Sequence, residues 1–176
     1  MSSHFEPPDK DQLKKEYERR LPQYTQLTTE VRYILERALK ETNIPLSDVT
    51  SRPKGAKDFE SFYGKIVRKE ISGDPFEAIE DIAGLRVICL YRSGISETAQ
   101  LVKKEFKVIR EETSSSSSQL GYRRDHYIVQ IPESYAGPRY DGIKNLNCEI
   151  QIRTVSAHAW ATISHHLDYK QEVDIP

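Results

Sequence analysis

The chain has 176 residues, of which 30% are charged, and a formal net charge of −1. This length suits one domain with a core of its own, and the balanced charge excludes broad nucleic-acid binding through many phosphate contacts, although a local contact with a transfer RNA stays open. Two cysteines exclude a disulfide framework and are predicted to be buried free thiols, and the absence of an apolar membrane span or signal region predicts a cytoplasmic protein with no membrane partner.

The first predicted element is a helix over residues 9–43, inside which Pro22 is expected to break or restart the helix. Its apolar residues keep helical spacing: Tyr24, Leu27, Val31, Leu35 and Ala38. We assign residues 1–45 to an N-terminal helical segment that packs on a domain formed by residues 46–176, within a single globular unit.

A basic stripe is predicted next. A strand near residues 47–52 leads through Arg52-Pro53-Lys54 into a helix from about Asp58 to Glu70, whose apolar positions follow the i, i+3, i+4, i+7, i+8 pattern. The opposite face carries Lys57, Ser61, Lys65 and Arg68. Together with Arg52 and Lys54 this face suits a polyphosphate, and arginine can also stack on a purine ring. A solvated basic face explains the pattern about as well.

A carboxylate precedes the next predicted strand. The segment from Asp81 to Arg86 leads into the apolar run from Val87 to Tyr91, which is typical of a central strand. Asp81 at its entrance and a second carboxylate on a neighbouring strand would suit Mg²⁺, which takes one or two protein carboxylates. A turn aspartate beside a surface arginine is the simpler interpretation. A crossover helix from Ser96 to Phe106, with Ser96 as N-cap, and a strand over residues 107–111 follow.

The segment Gly121-Tyr122-Arg123-Arg124-Asp125-His126 opens a strand predicted over residues 123–132. Alternation places Tyr122, Arg124 and His126 on one face of it. An aromatic side chain near a phosphate site can stack on a base, whereas ordinary strand packing is the alternative for Tyr122. A structural role for His126 is favoured over metal binding.

The strand predicted over residues 146–153 carries the strongest signal. Alternation places Glu149, Gln151 and Arg153 on one face, while Cys148, Ile150 and Ile152 fall on the other. A carboxylate, an amide and a guanidinium in a row could hold a metal, read a polar ligand and neutralise phosphate, although a solvated sheet face is the alternative.

The last predicted helix runs from Val155 to Leu167 and is expected to turn Trp160, Ile163 and Leu167 inward. Three histidines fall near one face of it, for which structural or substrate roles are favoured over zinc: His158, His165 and His166.

Six motifs in this order resemble the synthetase domain of the RelA/SpoT family, the enzymes that make the alarmone (p)ppGpp. The resemblance runs from about Arg52 to Lys170 and is to the small stand-alone synthetases, because the chain is too short for the family's hydrolase half. The motifs are Arg52-Pro53-Lys54, Ser61 with Lys65 and Arg68, Asp81 to Arg86, Gly121-Tyr122 with His126, Glu149 to Thr154, and Ala159-Trp160 with His165 and Tyr169-Lys170. The implied fold is α/β (α+β), a mixed sheet of four or five strands flanked by helices in a nucleotidyltransferase-like arrangement.

The resemblance implies transfer of the β,γ-pyrophosphate of ATP to the 3′-hydroxyl of a guanosine nucleotide, GDP or GTP, with Mg²⁺ as cofactor. By matching position, ATP would be held by Arg52, Lys54, Ser61, Lys65 and Arg68. The catalytic set would be Asp81, Arg86, Glu149 and Gln151, in which Asp81 and Glu149 bind the metal and Asp81 helps to deprotonate the hydroxyl. The acceptor would be held by Tyr122, Arg124, His126, Arg153 and His158.

The chain departs from the family's pattern on the acceptor side. Guanosine-using members carry a stretch resembling Lys-Pro-Lys-Pro-Asn before the Gly-Tyr pair, whereas this chain has Glu111-Glu112-Thr113 followed by five serines. Arg124 could supply the missing cation. Two alternatives therefore stay open: transfer to adenosine nucleotides or to the 3′ end of a transfer RNA, and a catalytically inactive nucleotide-binding module. The oligomeric state, including a homo-oligomer, is also open.

Overall fold

The computed structural model of the chain describes residues 5–51, 55, 58–113 and 125–171, with side chains up to residue 163. Five strands form one sheet in the order β1-β2-β5-β4-β3, which confirms the predicted mixed sheet flanked by helices. The elements in chain order are α1 (Lys10–Lys40), β1 (Leu46–Ser51), α2 (Phe59–Arg68), α3 (Pro75–Ala78), β2 (Ala83–Cys89), α4 (Arg92–Glu105), β3 (Lys107–Thr113), β4 (Asp125–Gln130), β5 (Cys148–Thr154) and α5 (Val155–Gln171).

Strand β5 occupies the centre of the sheet. It pairs in parallel with β2 and antiparallel with β4, while β1 and β3 add antiparallel edges. The two parallel strands begin level with each other, since Ala83 lies opposite Cys148. The segment that enters β2, which contains Asp81, is therefore close to the start of β5.

One face of the sheet is the hydrophobic core. Cys148, Ile150 and Ile152 of β5 are completely buried, as the alternation predicted, and the same cluster contains most of the buried apolar residues of α1 and α4. Both cysteines are free and buried, which confirms the prediction. Burial of these apolar side chains contributes most of the folding free energy and fixes the register of β5.

Helix α1 is continuous, so the prediction that Pro22 breaks it was wrong. Pro22 lies inside the helix and is exposed, whereas Tyr24, Leu27 and Val31 on the adjoining face are buried. Pro22 removes the helical donor for the carbonyl of Glu18, and both residues are exposed, so water can reach that carbonyl. Packing of the long apolar face on the sheet outweighs the local cost of the proline.

Helix α4 begins at Arg92, four residues before the predicted N-cap Ser96, which is an interior residue. The reason is close packing of the first turn against β2. A Cβ atom added at Gly94 would lie 3.3 Å from the Cβ of Cys89 and from a methyl group of Ile44. The helix starts where glycine permits this approach rather than at the better capping residue.

Helix α5 covers the opposite face of the sheet, and this explains a second wrong prediction. Trp160 and Ile163 are 45% and 52% exposed instead of turned inward, whereas Ala157 is buried. The helix contacts β5 and β2 over a polar surface, so no apolar core is available to receive large side chains there. Leu167 lies beyond the described side chains. Within the described parts of the chain, no helix is long and apolar enough to cross a membrane.

Candidate active site

The site is the face of the sheet away from the hydrophobic core, which we call the polar face; it carries Arg86, Arg110, Glu112, His126, Glu149, Gln151 and Arg153. The register arranges these residues in rows across the strands. Arg86 lies opposite Gln151, which in turn lies opposite His126. The alternation of β5 thus places the three polar side chains of that strand together, as predicted.

A chain of hydrogen bonds runs along β5. The Nη2 atom of Arg153 donates to Oε1 of Gln151 at 2.8 Å, and Nε2 of Gln151 donates to Oε2 of Glu149 at 2.8 Å. The other oxygen of Glu149, Oε1, lies 3.0 Å from Nδ1 of His126. Because the amide oxygen of Gln151 is occupied by a guanidinium, its NH₂ group must face Glu149. The orientation of this carboxylate is therefore fixed from both sides.

The carboxylate of Glu149 is held in its ionised form. Burial raises the pKa of Glu149, but hydrogen bonds from His126 and Gln151, together with the charge of His126, outweigh burial, so that the net shift is downward. The negative charge of Asp81 acts in the opposite direction, because the two carboxylates are close. The turn before β2 and the start of β5 thus bring together the two acidic groups that the sequence indicated as metal ligands.

Asp81 forms an ion pair with Lys65 of α2 through its Oδ2 atom and the lysine Nζ. The opposite side of α2 packs in an aromatic cluster, in which the Phe62 ring lies 5.0 Å from that of Tyr17 and 5.1 Å from that of Phe76. This packing fixes the helix so that Lys65 faces the site. Ser61 and Arg68 lie one turn to either side of Lys65 and are exposed.

His158 of α5 lies over the other end of the polar face. Burial lowers the pKa of His158, and the positive charges of Arg86 and Arg153 lower it further, against a smaller opposing effect of Asp48. The imidazole is therefore neutral at physiological pH. A neutral ring beside two guanidinium groups can accept a hydrogen bond from a ligand without adding charge to the site.

The carboxylates of Asp81 and Glu149 together fit a magnesium ion. Mg²⁺ keeps several waters and takes one or two protein carboxylates in sites where nucleotide phosphates complete its coordination. Among the described residues there is no group of three or more histidine, cysteine, aspartate or glutamate side chains that could hold a metal by themselves. Asp81 and Glu149 therefore match a metal that arrives with a phosphate ligand.

Four of the predicted site residues lie outside the described residues: Arg52, Lys54, Tyr122 and Arg124. Their roles stay predictions. The others lie on the polar face, in the turn before β2 or in the helices that border this face.

The sequence interpretation missed Arg110 of β3. Its Nη2 atom lies 2.6 Å from Oε2 of Glu80, and its Nε atom lies 3.3 Å from Oε1 of Glu112. A β-bulge between Val108 and Arg110 shifts the alternation of β3 by one residue. Simple alternation from Lys107 would place Arg110 on the core face, so only the register could reveal it.

A mixed sheet with two neighbouring carboxylates and several cations at its polar face and border is expected of an α/β enzyme that handles phosphates together with a divalent metal. Residues 54–174 match the protein family that is described as "Region found in RelA / SpoT proteins". The chain belongs to the RelA/SpoT family.

Individual relatives agree with this assignment. GTP pyrophosphokinase YjbM from Bacillus subtilis (strain 168) is 34% identical over 170 residues, which are 92% of this chain and 77% of that protein. The crystal structure of small alarmone synthetase 1 from Bacillus subtilis bound to its product pppGpp has a TM-score of 0.71 at 32% identity and covers 92% of this chain and 84% of its own. The same synthetase bound to AMPCPP has a TM-score of 0.70 at 31% identity, with 92% and 83% covered.

Proposed function

We propose that the protein is a pyrophosphokinase that transfers the β,γ-pyrophosphate of ATP to the 3′-hydroxyl of GDP or GTP, which yields (p)ppGpp and AMP. The observation that carries the proposal is the proximity of Asp81, at the entrance to β2, to Glu149 on the polar face, with Lys65 in contact with Asp81. Support comes from relatives named GTP pyrophosphokinase and from the two similar structures that hold pppGpp and AMPCPP.

The proposed step is an in-line displacement. The acceptor's 3′-oxygen attacks the β-phosphorus of ATP, the bond from that phosphorus to the oxygen bridging the α- and β-phosphates breaks, and AMP leaves. The hydroxyl proton passes to the carboxylate of Asp81. Such transfers need little covalent help from the protein, because positioning and charge neutralisation supply most of the rate acceleration.

Asp81 and Glu149 would hold Mg²⁺, which when bound supplies positive charge to the phosphates of ATP. Lys65 would leave Asp81 and contact the same phosphates, together with Ser61, Arg68, Arg52 and Lys54. Gln151 and His126 would keep the Glu149 carboxylate ionised and oriented toward the metal. Arg153 would keep the amide of Gln151 turned toward Glu149. Arg86 would contact phosphate.

On the acceptor side, Tyr122 would stack on the base, and His126, Arg124, Arg153 and His158 would line the site. The reaction would take place in the cytoplasm, where ATP and guanosine nucleotides are available. A homo-oligomer is compatible with these assignments and is not needed for them.

One observation favours a second acceptor class. Glu112 lies opposite His126 on the polar face and brings a negative charge to the side where acceptor phosphates would bind. A negative charge there disfavours acceptors with several 5′-phosphates. Among the adenosine nucleotides AMP, and besides them the 3′ end of a transfer RNA, are therefore the second candidates.

The test is incubation of the purified protein with Mg²⁺ and γ-³²P-labelled ATP, with GDP, GTP, AMP, ADP, ATP or bulk transfer RNA offered in separate reactions. Label on GDP or GTP is the expected result. Label only on adenosine nucleotides or transfer RNA would move the protein to the second class, and no labelled product would favour a nucleotide-binding module.

Two variants test the metal ligands. Asp81→Asn and Glu149→Gln should each reduce transfer by at least about a hundredfold, because a metal ion supplies several kcal/mol of charge stabilisation. Glu36→Gln removes a carboxylate from α1 and serves as the control, with circular dichroism to check folding. Full activity in both site variants would refute the assignment.

A further inference from the structure

We propose that Arg110 is the cation that contacts the 5′-phosphates of the acceptor nucleotide, and that it replaces the lysine-rich stretch missing from this chain. The inference rests on the proposed function and names a specificity-determining residue for it. Residues 111–120 contain no lysine or arginine, so this part of the sequence brings no cation to the acceptor side.

The register places Arg110 on the polar face in line with a proposed metal ligand. Arg110 lies opposite Ile128 of β4, and Ile128 lies opposite Glu149 of β5. Two strand spacings, about 10 Å, separate the backbones of Arg110 and Glu149. This separation is comparable to the span from the 3′-hydroxyl of a nucleotide to its 5′-phosphates. An acceptor whose hydroxyl lies near Glu149 can therefore reach Arg110.

The side chain of Arg110 extends over the polar face rather than away from it. Its Nη2 atom lies 2.6 Å from Oε2 of Glu80, the residue directly before Asp81, although three strand pairings separate β3 from β2. The guanidinium is thus held above the sheet, between the acceptor side and the segment that carries Asp81.

The chemistry of this group suits a phosphate. A guanidinium offers a planar set of donors that matches phosphate oxygens in pairs, and Arg110 keeps a side-chain exposure of 54%. Its present partners are two carboxylates, Glu80 and Glu112. A diphosphate could take the place of either carboxylate at the exposed edge of the guanidinium. Glu112 would then repel additional phosphate charge, so that GDP should be a better acceptor than GTP.

The competing interpretation is that Arg110 only anchors the segment containing Glu80 and Asp81. The two roles predict opposite results for Glu80→Gln. If Arg110 contacts phosphate, removal of the competing Glu80 carboxylate should lower the KM for GDP. If Arg110 is an anchor, Glu80→Gln and Arg110→Gln should both lower kcat and raise the KM for ATP.

The experiment measures kcat and KM for GDP, GTP and ATP in the full chain and in three variants: Arg110→Gln, Glu80→Gln and Lys107→Gln. Arg110→Gln should raise the KM for GDP about tenfold to a hundredfold, the loss expected for one charge-assisted contact, and leave the KM for ATP unchanged. Lys107→Gln is the matched control, because it removes a positive charge from β3 two residue pairings beyond Arg110 and should change neither value by more than about twofold.

An unchanged KM for GDP in Arg110→Gln, or the pattern expected of an anchor, would overturn the inference. If the wild-type protein forms no product, the proposed function fails, and the inference is then decided by calorimetric titration of GDP. A tenfold weaker affinity in Arg110→Gln but not in Lys107→Gln would support it, and equal affinities would overturn it.

Discussion

The contact between Lys65 and Asp81 predicts that the protein resists binding a metal ion alone. Lys65 occupies a carboxylate oxygen that Mg²⁺ would need, so a metal must first displace the ammonium group. We expect Lys65→Met to bind Mn²⁺, a spectroscopic substitute for Mg²⁺, more tightly than the wild type does when no nucleotide is present.

The size of this effect follows from the exposure of the pair. The side chains of Lys65 and Asp81 are 22% and 34% exposed, so solvent screens the contact in part. An exposed ion pair contributes about 0–1 kcal/mol and a charge-assisted hydrogen bond about 1.5–3 kcal/mol, so about 1–2 kcal/mol is a reasonable value here. This free energy corresponds to about a 5- to 30-fold lower Kd for Mn²⁺ in the variant.

The assay is electron paramagnetic resonance of free Mn²⁺ during titration of the nucleotide-free protein. Lys69→Met, one residue beyond the end of α2, removes an exposed lysine and should leave the Kd unchanged. The double variant Lys65→Met/Asp81→Asn should lose the gain. Affinity for an ATP analogue should fall in Lys65→Met, because the lysine also contacts phosphate in the proposed function. A Kd for Mn²⁺ in Lys65→Met equal to or higher than the wild-type value would refute the reasoning.

Two further predictions concern stability and reactivity. Pro22→Ala should raise the free energy of unfolding, measured in urea, by about 1–3 kcal/mol. An interior proline costs a helix about 3 kcal/mol, and it offsets less than 1 kcal/mol of this by reducing the conformational entropy of the unfolded chain. An unchanged free energy of unfolding would show that the helix compensates for the proline. Burial raises the pKa of Cys89 and of Cys148, so neither thiol should react with a disulfide reagent at pH 8 until urea is added, and rapid reaction of the folded protein would contradict their burial.

The strand β5 shows which part of the site the sequence could predict. Its residues alternate strictly between polar and apolar, and a buried strand leaves no other way to place them. The order of the strands could not be predicted in this way. The pairing of β2 with β5 joins segments about 65 residues apart in the sequence, and no local pattern records such a contact.

Where local rules failed, long-range packing was the cause. Ser96 is a good N-cap, but the approach of Gly94 to Cys89 starts α4 earlier. Trp160 has an apolar side chain at helical spacing, but its helix covers a polar surface. The position of Arg110 on the polar face could not be read from the sequence, because a bulge shifts the alternation of β3 by one residue and no distinctive residue marks the bulge.

The hydrogen-bonded series Arg153, Gln151 and Glu149 also bears on how the chain folds. If β5 slipped by one residue against its neighbours, these three groups would be pressed into the apolar layer, and Ile150 and Ile152 would be turned out to water. Each buried charge without a partner would cost several kcal/mol, which is comparable to the whole stability of a small domain. The residues that would serve the reaction therefore also specify the alignment of β5, because a chain with the slipped register would be too unstable to stay folded.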